Sequence, residues 1–276
     1  MKKIQEILDK IDLKKPIKER FETGFKDLDN ILDFDINSGK VITLASRPAM
    51  GKSSLALNIA KFFSRSSHKS SLIFSCEMDS KELMLNMISS ESKVDLRKIK
   101  RGKCSTEELS LLNKARESLS DIPIWTNENF PEFTEEIIQI VKEISKESEI
   151  GLIVIDYLQL LKTQNRTLRF ENEVSNMMKD LKKLAADFEM TVLLLSQLNR
   201  GVDARDNKRP LLSDLRESAA IEDASDVVCF LYRDGYYYLD LENSNFTELI
   251  VAKNRGGKLG TVNLIWKPEI RIFSIS

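Results

Sequence analysis

The residues best suited to chemistry lie at 46–54, "SRPAMGKSS". Gly51, Lys52 and Ser53 close a G-x-x-x-x-G-K-[ST] phosphate-binding pattern, while Ser46 stands where the first glycine belongs. In such a loop the backbone N–H groups cradle β- and γ-phosphates, the lysine neutralises them, and the following hydroxyl ligates Mg²⁺. Ser46, Arg47, Pro48, Ala49, Met50, Gly51, Lys52, Ser53 and Ser54 are therefore the candidate nucleotide-binding residues. A chance G-K-S is common, but one set directly between an apolar run and an amphipathic segment is not. Three more apolar runs lead into polar groups. "SLIFSC" (71–76) is followed by Glu77, a carboxylate able to orient attacking water, and "GLIVID" (151–156) ends on Asp156, which with Ser53 forms a candidate Mg²⁺ site. "TVLLLS" (191–196) is followed by Gln197, whose amide both donates and accepts and so can sense a γ-phosphate. Taken singly, a carboxylate in the place of Glu77 is more often a helix cap or a solvated side chain, and Gln197 reads as a satisfied polar group. Together the four devices spell hydrolysis of a nucleoside triphosphate. A kinase would need an acceptor pocket and an arginine-rich lid, and no such lid segment is evident.

These groups must be held by a sheet. The runs at 40–46, 71–76, 151–156 and 191–196 are short and continuously apolar, as expected of parallel strands buried on both faces. Between them, helical patterns fall at 52–63, 80–91, 105–119, 134–147 and 170–188, with Ser105 and Glu108 spaced as a capping box. The expectation is a doubly wound α/β core, with ligands gathering outside the carboxyl ends of the strands. The runs at 226–233, 247–255, 260–266 and 271–276 lack helical segments between them and are expected to add antiparallel hairpins. Residues 1–13 place Ile4, Ile7, Leu8 and Ile11 at helical spacing, and Pro16 marks a linker over 14–20. The expected organisation is thus an amphipathic helix and linker over 1–20 and an α/β domain over 21–276. The short helix must dock either on its own domain or on a neighbouring subunit.

With 42 basic and 43 acidic side chains the net charge is −1, so any polyanion must be met by a local patch rather than a global field. The densest basic stretch is 199–210, with Arg216 just beyond it; such runs are more often solvated loops. No apolar stretch approaches the roughly 20 residues of a membrane helix, and no secretory pattern is present, so a cytoplasmic protein is expected. Three dispersed cysteines and one histidine suit reduced thiols and no structural metal.

In order along the chain, "SRPAMGKSSLALNIA", "IFSCEM", "LIVIDYLQLL", "LLLSQLNR", "KRPLLSDLRESAAIEDASDVVCFLYR" and "VAKNRGGKLGTV" closely resemble the motor domain of the bacterial replicative DNA helicase family of the DnaB type. "VDLRKIKRGKCS" (94–105) is similar to that family's linking segment, and the resemblance covers about residues 21–276. It implies a RecA-like P-loop NTPase fold using ATP and Mg²⁺, with Lys52 and Ser53 on phosphate and metal, Glu77 as catalytic base, Asp156 as the second metal residue and Gln197 as sensor. By the same resemblance Lys253 and Arg255 reach a neighbouring subunit's active site, the arginine as a finger in trans, which implies a homohexameric ring. "SDLRESAA" (213–220) matches a loop facing single-stranded DNA in the central channel, giving Arg216, Glu217 and Ala219 as DNA-binding candidates. The implied activity is an ATP-dependent DNA helicase of replication moving 5′ to 3′, with a primase or loader as partner. It would work in the cytoplasm of a bacterial cell or a phage-infected host. Ala219 departs from the family's usual glycine, and only a short helix and linker precede the motor domain. A RecA-like regulatory or scaffolding ATPase, or a recombinase, stays open as the alternative.

Overall fold

A computed structural model describes residues 19–156, 161, 170–215, 219–238 and 245–275. The helix expected at 1–13, and Arg216 and Glu217, lie outside the described residues. Among the described residues the strands form one nine-stranded sheet in the order β3-β2-β4-β5-β1-β6-β7-β8-β9. The strands are β1 (Val41–Ser46), β2 (Ser70–Ser75), β3 (Ile124–Thr126), β4 (Ile150–Asp156), β5 (Thr191–Gln197), β6 (Val227–Tyr232), β7 (Phe246–Asn254), β8 (Gly260–Lys267) and β9 (Ile272–Ile275). Six strands, β3 to β6 in the sheet order, are mutually parallel, and β7, β8 and β9 add antiparallel.

The continuous apolar runs are explained by burial on both faces. In β4, Leu152 and Val154 enter one core while Ile153 and Ile155 enter the other; in β5, Leu193 and Leu195 alternate in the same way with Val192 and Leu194. A strand's side chains point alternately to opposite faces, so a sheet covered on both sides needs apolar residues at every position. One face packs on helix α2 (Lys52–Ser67), whose Leu55, Ile59 and Phe63 share a core with Phe21, Leu28 and Trp266; α2 follows a short helix α1 (Lys26–Leu32). The other face packs on α6 (Thr134–Ile144) and α7 (Phe170–Asp187) through Ile137, Val141, Met177 and Leu181.

The expected helices are found with shifted ends, including α3 (Ser80–Ser92) and α5 (Thr106–Ser120), and Ser105 and Glu108 form the capping box. The segment 94–105 contains a further short helix, α4 (Leu96–Arg101). One expectation is corrected. The run at 226–233 pairs antiparallel with β7 as expected, but on its other side β6 pairs parallel with β1, from Ile42 opposite Val227 to Ala45 opposite Phe230. Its apolar residues therefore belong to the doubly buried centre of the sheet. Helix α8 (Ala219–Ala224) precedes it and a short helix α9 (Asp234–Tyr237) follows it, so the last four strands are not free of helices. Among the described residues no helix is long and apolar enough to cross a membrane.

Candidate active site at the strand ends

The parallel strands deliver their carboxyl ends to one edge of the sheet, and the loop 47–51 runs from the end of β1 into α2 there. Ser46 is opposite Gln197 in the β1–β5 register, and Ser75 is opposite Asp156 in the β2–β4 register. Ser46, the loop residues Arg47 to Ala49, Gly51 to Ser54, Glu77 and Gln197 line one cleft of about 630 Å³. The nucleotide candidates converge, with one exception in side-chain role. Met50 is 1% exposed and belongs to the hydrophobic core, so only its backbone faces the loop.

The loop's shape is set by unusual backbone. Ala49 has φ +61° and Gly51 φ +95°. At Gly51 a Cβ atom would lie 2.8 Å from Phe273 Cζ and 3.4 Å from Trp266 Cε2. Those two rings stack at 4.4 Å between centroids, and Phe273 is pinned where its N–H donates to Asn58 Oδ1 over 2.9 Å. Glycine is thus required here both by the left-handed conformation and by the β8–β9 strands behind the loop. Ser46 is 1% exposed and its Oγ donates to the Arg47 carbonyl over 2.9 Å, so a hydroxyl takes up a local hydrogen bond where the common motif has glycine.

Asp156 ends β4 only 3% exposed. Its Oδ2 accepts a 2.5 Å hydrogen bond from Ser53 Oγ, and Lys52 Nζ stands 3.7 Å from Oδ1. Oδ1 itself is buried without a hydrogen-bond partner. The Lys52 ammonium balances its charge without a hydrogen bond, so the oxygen keeps a lone pair for a cation or donor. A hydroxyl and a carboxylate at one point, with one lone-pair donor spare, are the oxygen ligands a magnesium ion takes. The residues present therefore fit Mg²⁺. Glu77 is exposed on the rim of the same cleft, at the apex of a turn fixed on both sides: Cys76 N–H donates to the Asp156 carbonyl over 2.9 Å, and Met78 N–H to Ser75 Oγ over 3.1 Å.

Lys253 and Arg255 are not brought to this cleft. Val228 is opposite Thr43 in β1 and opposite Lys253 in β7, and β7 runs antiparallel to both, so Lys253 and Arg255 sit toward the amino-terminal edge of the sheet. From the strand rise and spacing, Arg255 lies about 16 Å along the strands and about 10 Å across them from Ser46. That is beyond the reach of an arginine side chain toward its own phosphate loop. Arg255 N–H donates to the Asp226 carbonyl over 2.9 Å, while the Arg255 guanidinium and Lys253 Nζ donate to the Asp223 and Glu222 carbonyls at the end of α8. Partial burial, and then the neighbouring Arg255, push the Lys253 ammonium below its usual pKa. Ala219, the first residue of α8, is exposed.

A family model settles membership: the DnaB-like helicase C-terminal domain matches residues 21–274. The chain belongs to that family. Curated relatives include the replicative DNA helicase DnaB of Geobacillus stearothermophilus and the replicative DNA helicase DnaC of Bacillus subtilis (strain 168). Each is 38% identical over 252 residues, 91% of this chain and 55% of the relative. The chain therefore spans about half the length of the curated relatives it matches. Among solved structures, one described as an ATPase domain superposes with a TM-score of 0.88 at 32% identity, covering 99% of this chain and 95% of that one. A DnaB-like replicative helicase, described with its interactions with primase, gives 0.87 at 32% identity, covering 98% of this chain and 66% of that one.

Sequence reasoning missed part of this DnaB-like cleft. Arg233, just after β6, and Arg271, with φ +55° between β8 and β9, both line it, and each has a buried Nε without a hydrogen-bond partner. Burial lowers the Arg233 pKa. The signal in the sequence was available only for Arg233, as a charged residue directly ending an apolar run. Trp266 and Arg271 come from antiparallel strands whose position beside the loop no local pattern reveals.

Proposed function

We propose that this domain is an ATP-hydrolysing motor that assembles as a ring of six copies, draws single-stranded DNA through the centre and so separates duplex DNA in replication. The observation that carries the reading is the meeting of Lys52, Ser53 and Asp156, with a spare Asp156 oxygen, in a cleft rimmed by Glu77 and Gln197. In this reading the triphosphate lies along the loop 46–54, and Lys52 moves from Asp156 to the phosphates. Ser53 Oγ and Asp156 would hold Mg²⁺, which when bound would supply neutralisation of phosphate charge. Glu77 orients the attacking water and accepts its proton, since its carboxylate stands on the cleft rim open to solvent. Gln197 reports the presence of the γ-phosphate to the segment after it.

Lys253 and Arg255 act on a neighbouring copy, because their own loop is out of reach, and a planar guanidinium there stabilises charge on the transferring phosphoryl group. The segment 213–220 faces DNA, with Arg216 on a backbone phosphate and Glu217 and Ala219 beside it. Six such contacts round a ring concentrate positive charge despite the chain's net charge of −1. A primase is a candidate partner, given the solved relative described with one, and the cytoplasm is the candidate compartment. The test is ATP turnover with and without single-stranded DNA on a sample whose mass is measured in parallel. Stimulated turnover at a six-copy mass supports the proposal, and absence of Mg²⁺-dependent turnover refutes it.

A further inference from the structure

Arg47 is a nucleotide candidate by position and lines the cleft, yet its guanidinium is fully engaged by protein groups. It is 9% exposed, and all three guanidinium nitrogens are engaged. Nε donates to Asp203 Oδ1 over 3.2 Å, Nη2 to Asp203 Oδ2 over 2.8 Å, and Nη1 to the Leu198 carbonyl over 3.0 Å. Asp203 also accepts from the Tyr237 hydroxyl over 3.0 Å, so its carboxylate is held between the phosphate loop and α9. Such a bidentate fork is more directional than a point-charge pair and fixes the relative orientation of the two segments.

The segment that receives Arg47 leads straight to the DNA-facing loop. Leu198 follows Gln197, its N–H donates to the Ser46 carbonyl over 3.1 Å, and it bridges to Leu215, the residue before Arg216. Leu198, Val202 and Leu215 are buried together with Ala45 of β1, a small core separate from the two main ones. Arg205, two residues past Asp203, makes a second fork to Asp214, at 3.1 and 2.7 Å. Two charge-assisted forks in series, Arg47 to Asp203 and Arg205 to Asp214, thus join the residue after Ser46 to a point two residues from Arg216. In contrast to the finger pair, this connection lies within one copy.

Resting on the motor reading above, we infer that Asp203 is a positioning residue: through Arg47 it ties the phosphate loop to the DNA-facing segment, so that nucleotide state and DNA contact are coupled inside each copy. Asp203 touches neither phosphate nor DNA, and its removal acts on coupling rather than on nucleotide binding. It lies on the segment that carries Arg205 and Asp214, and its fork with Arg47 is the point at which the two segments are joined.

The test compares wild type, Asp203→Asn, Asp203→Glu, Arg205→Lys and the Asp203→Asn/Arg205→Lys double variant, measuring nucleotide Kd and ATP turnover with and without single-stranded DNA. Asp203→Asn is expected to keep nucleotide Kd and DNA-free turnover within about twofold, while DNA stimulation falls by about fivefold or more, the lower range of coupling between sites. Asp203→Glu restores part of the stimulation. Because the forks act in series, the double variant is no worse than either single one. If Asp203→Asn does not fold, Arg205→Lys carries the same comparison. Unchanged stimulation in a folded variant overturns the inference, as does a loss of nucleotide affinity equal to the loss of stimulation, which would make Arg47 a nucleotide ligand. A wild-type chain without DNA-stimulated turnover refutes the motor reading instead. The inference is then decided by hydrogen exchange alone: nucleotide must change protection across 199–215 in wild type and fail to do so in Asp203→Asn, and equal responses overturn it.

Discussion

Gly51→Ala separates two reasons for a glycine in the phosphate loop. An alanine there must adopt φ near +95°, which costs about 1–2 kcal/mol for an L-residue. Its Cβ would also lie 2.8 Å from Phe273 Cζ, closer than carbon atoms approach. Phe273 cannot swing aside freely, being 3% exposed, stacked on Trp266 and hydrogen-bonded to Asn58 through its N–H. Forcing a methyl into such packing costs about 1–3 kcal/mol more. Gly102→Ala is the control, since Gly102 has φ +63° but nothing within 4 Å of the added Cβ, so only the backbone term applies. At about 2–4 °C per kcal/mol for a domain of this size, Gly51→Ala should melt about 2–12 °C below Gly102→Ala in calorimetry. The exposed loop yields more readily than the two stacked rings, so nucleotide affinity should also fall by about tenfold or more, equal to about 1.4 kcal/mol, in Gly51→Ala alone. Equal melting points and equal affinities in the two variants would refute the reasoning, because they would mean the rings do not constrain the loop.

Two other outcomes follow from charged contacts. Burial alone would raise the Glu91 pKa, but hydrogen bonds from Arg65, Lys61 and Ser118 hold it at about 2. A depressed carboxyl contributes stability above its unfolded pKa near 4.5 and loses it as pH falls toward 2, so Glu91→Gln should destabilise by about 1–2 kcal/mol at neutral pH and by nothing near pH 2; chemical denaturation across that range measures it, and a pH-independent difference contradicts the assignment. Asp156→Asn should lower Mg²⁺-dependent turnover by about 10²-fold or more, as loss of a group that organises transition-state charge does, while binding of nucleotide without Mg²⁺ persists; single-turnover kinetics beside a nucleotide titration decides this, and unaltered turnover counts against Asp156 as metal ligand.

The strand-end groups were legible because parallel strands buried on both faces leave a plain mark, a continuous apolar run whose end is the active edge. That placed Ser46, Glu77, Asp156 and Gln197 before any contact was known. What the sequence hid was set by partners distant along the chain. Arg47 finds Asp203 beyond β5, Gly51 meets Phe273 near the carboxyl terminus, and β6 pairs parallel with β1 in addition to its antiparallel pairing with β7. The three-residue β3 and the short helices α1 and α4 are too brief to show a period. The trans role proposed for Lys253 and Arg255 rests on resemblance, and their remoteness from their own loop emerges only from the strand register.

The central claim is that each active site is completed by a neighbouring copy, and mixing two inactive variants tests it most directly. Lys52→Ala retains the finger without the phosphate cradle, and Arg255→Ala retains the cradle without the finger. Each alone should bind partners yet lose turnover, with Arg255→Ala still binding nucleotide. In a mixture of equal parts, random assembly pairs an intact cradle with an intact finger at about one interface in four, so turnover should rise well above that of either variant and reach at most about a quarter of wild type when interfaces act independently. Recovery of that order supports a site shared between copies. Full turnover by Arg255→Ala on its own, or no recovery in a mixture shown by mass to contain both variants, would contradict it.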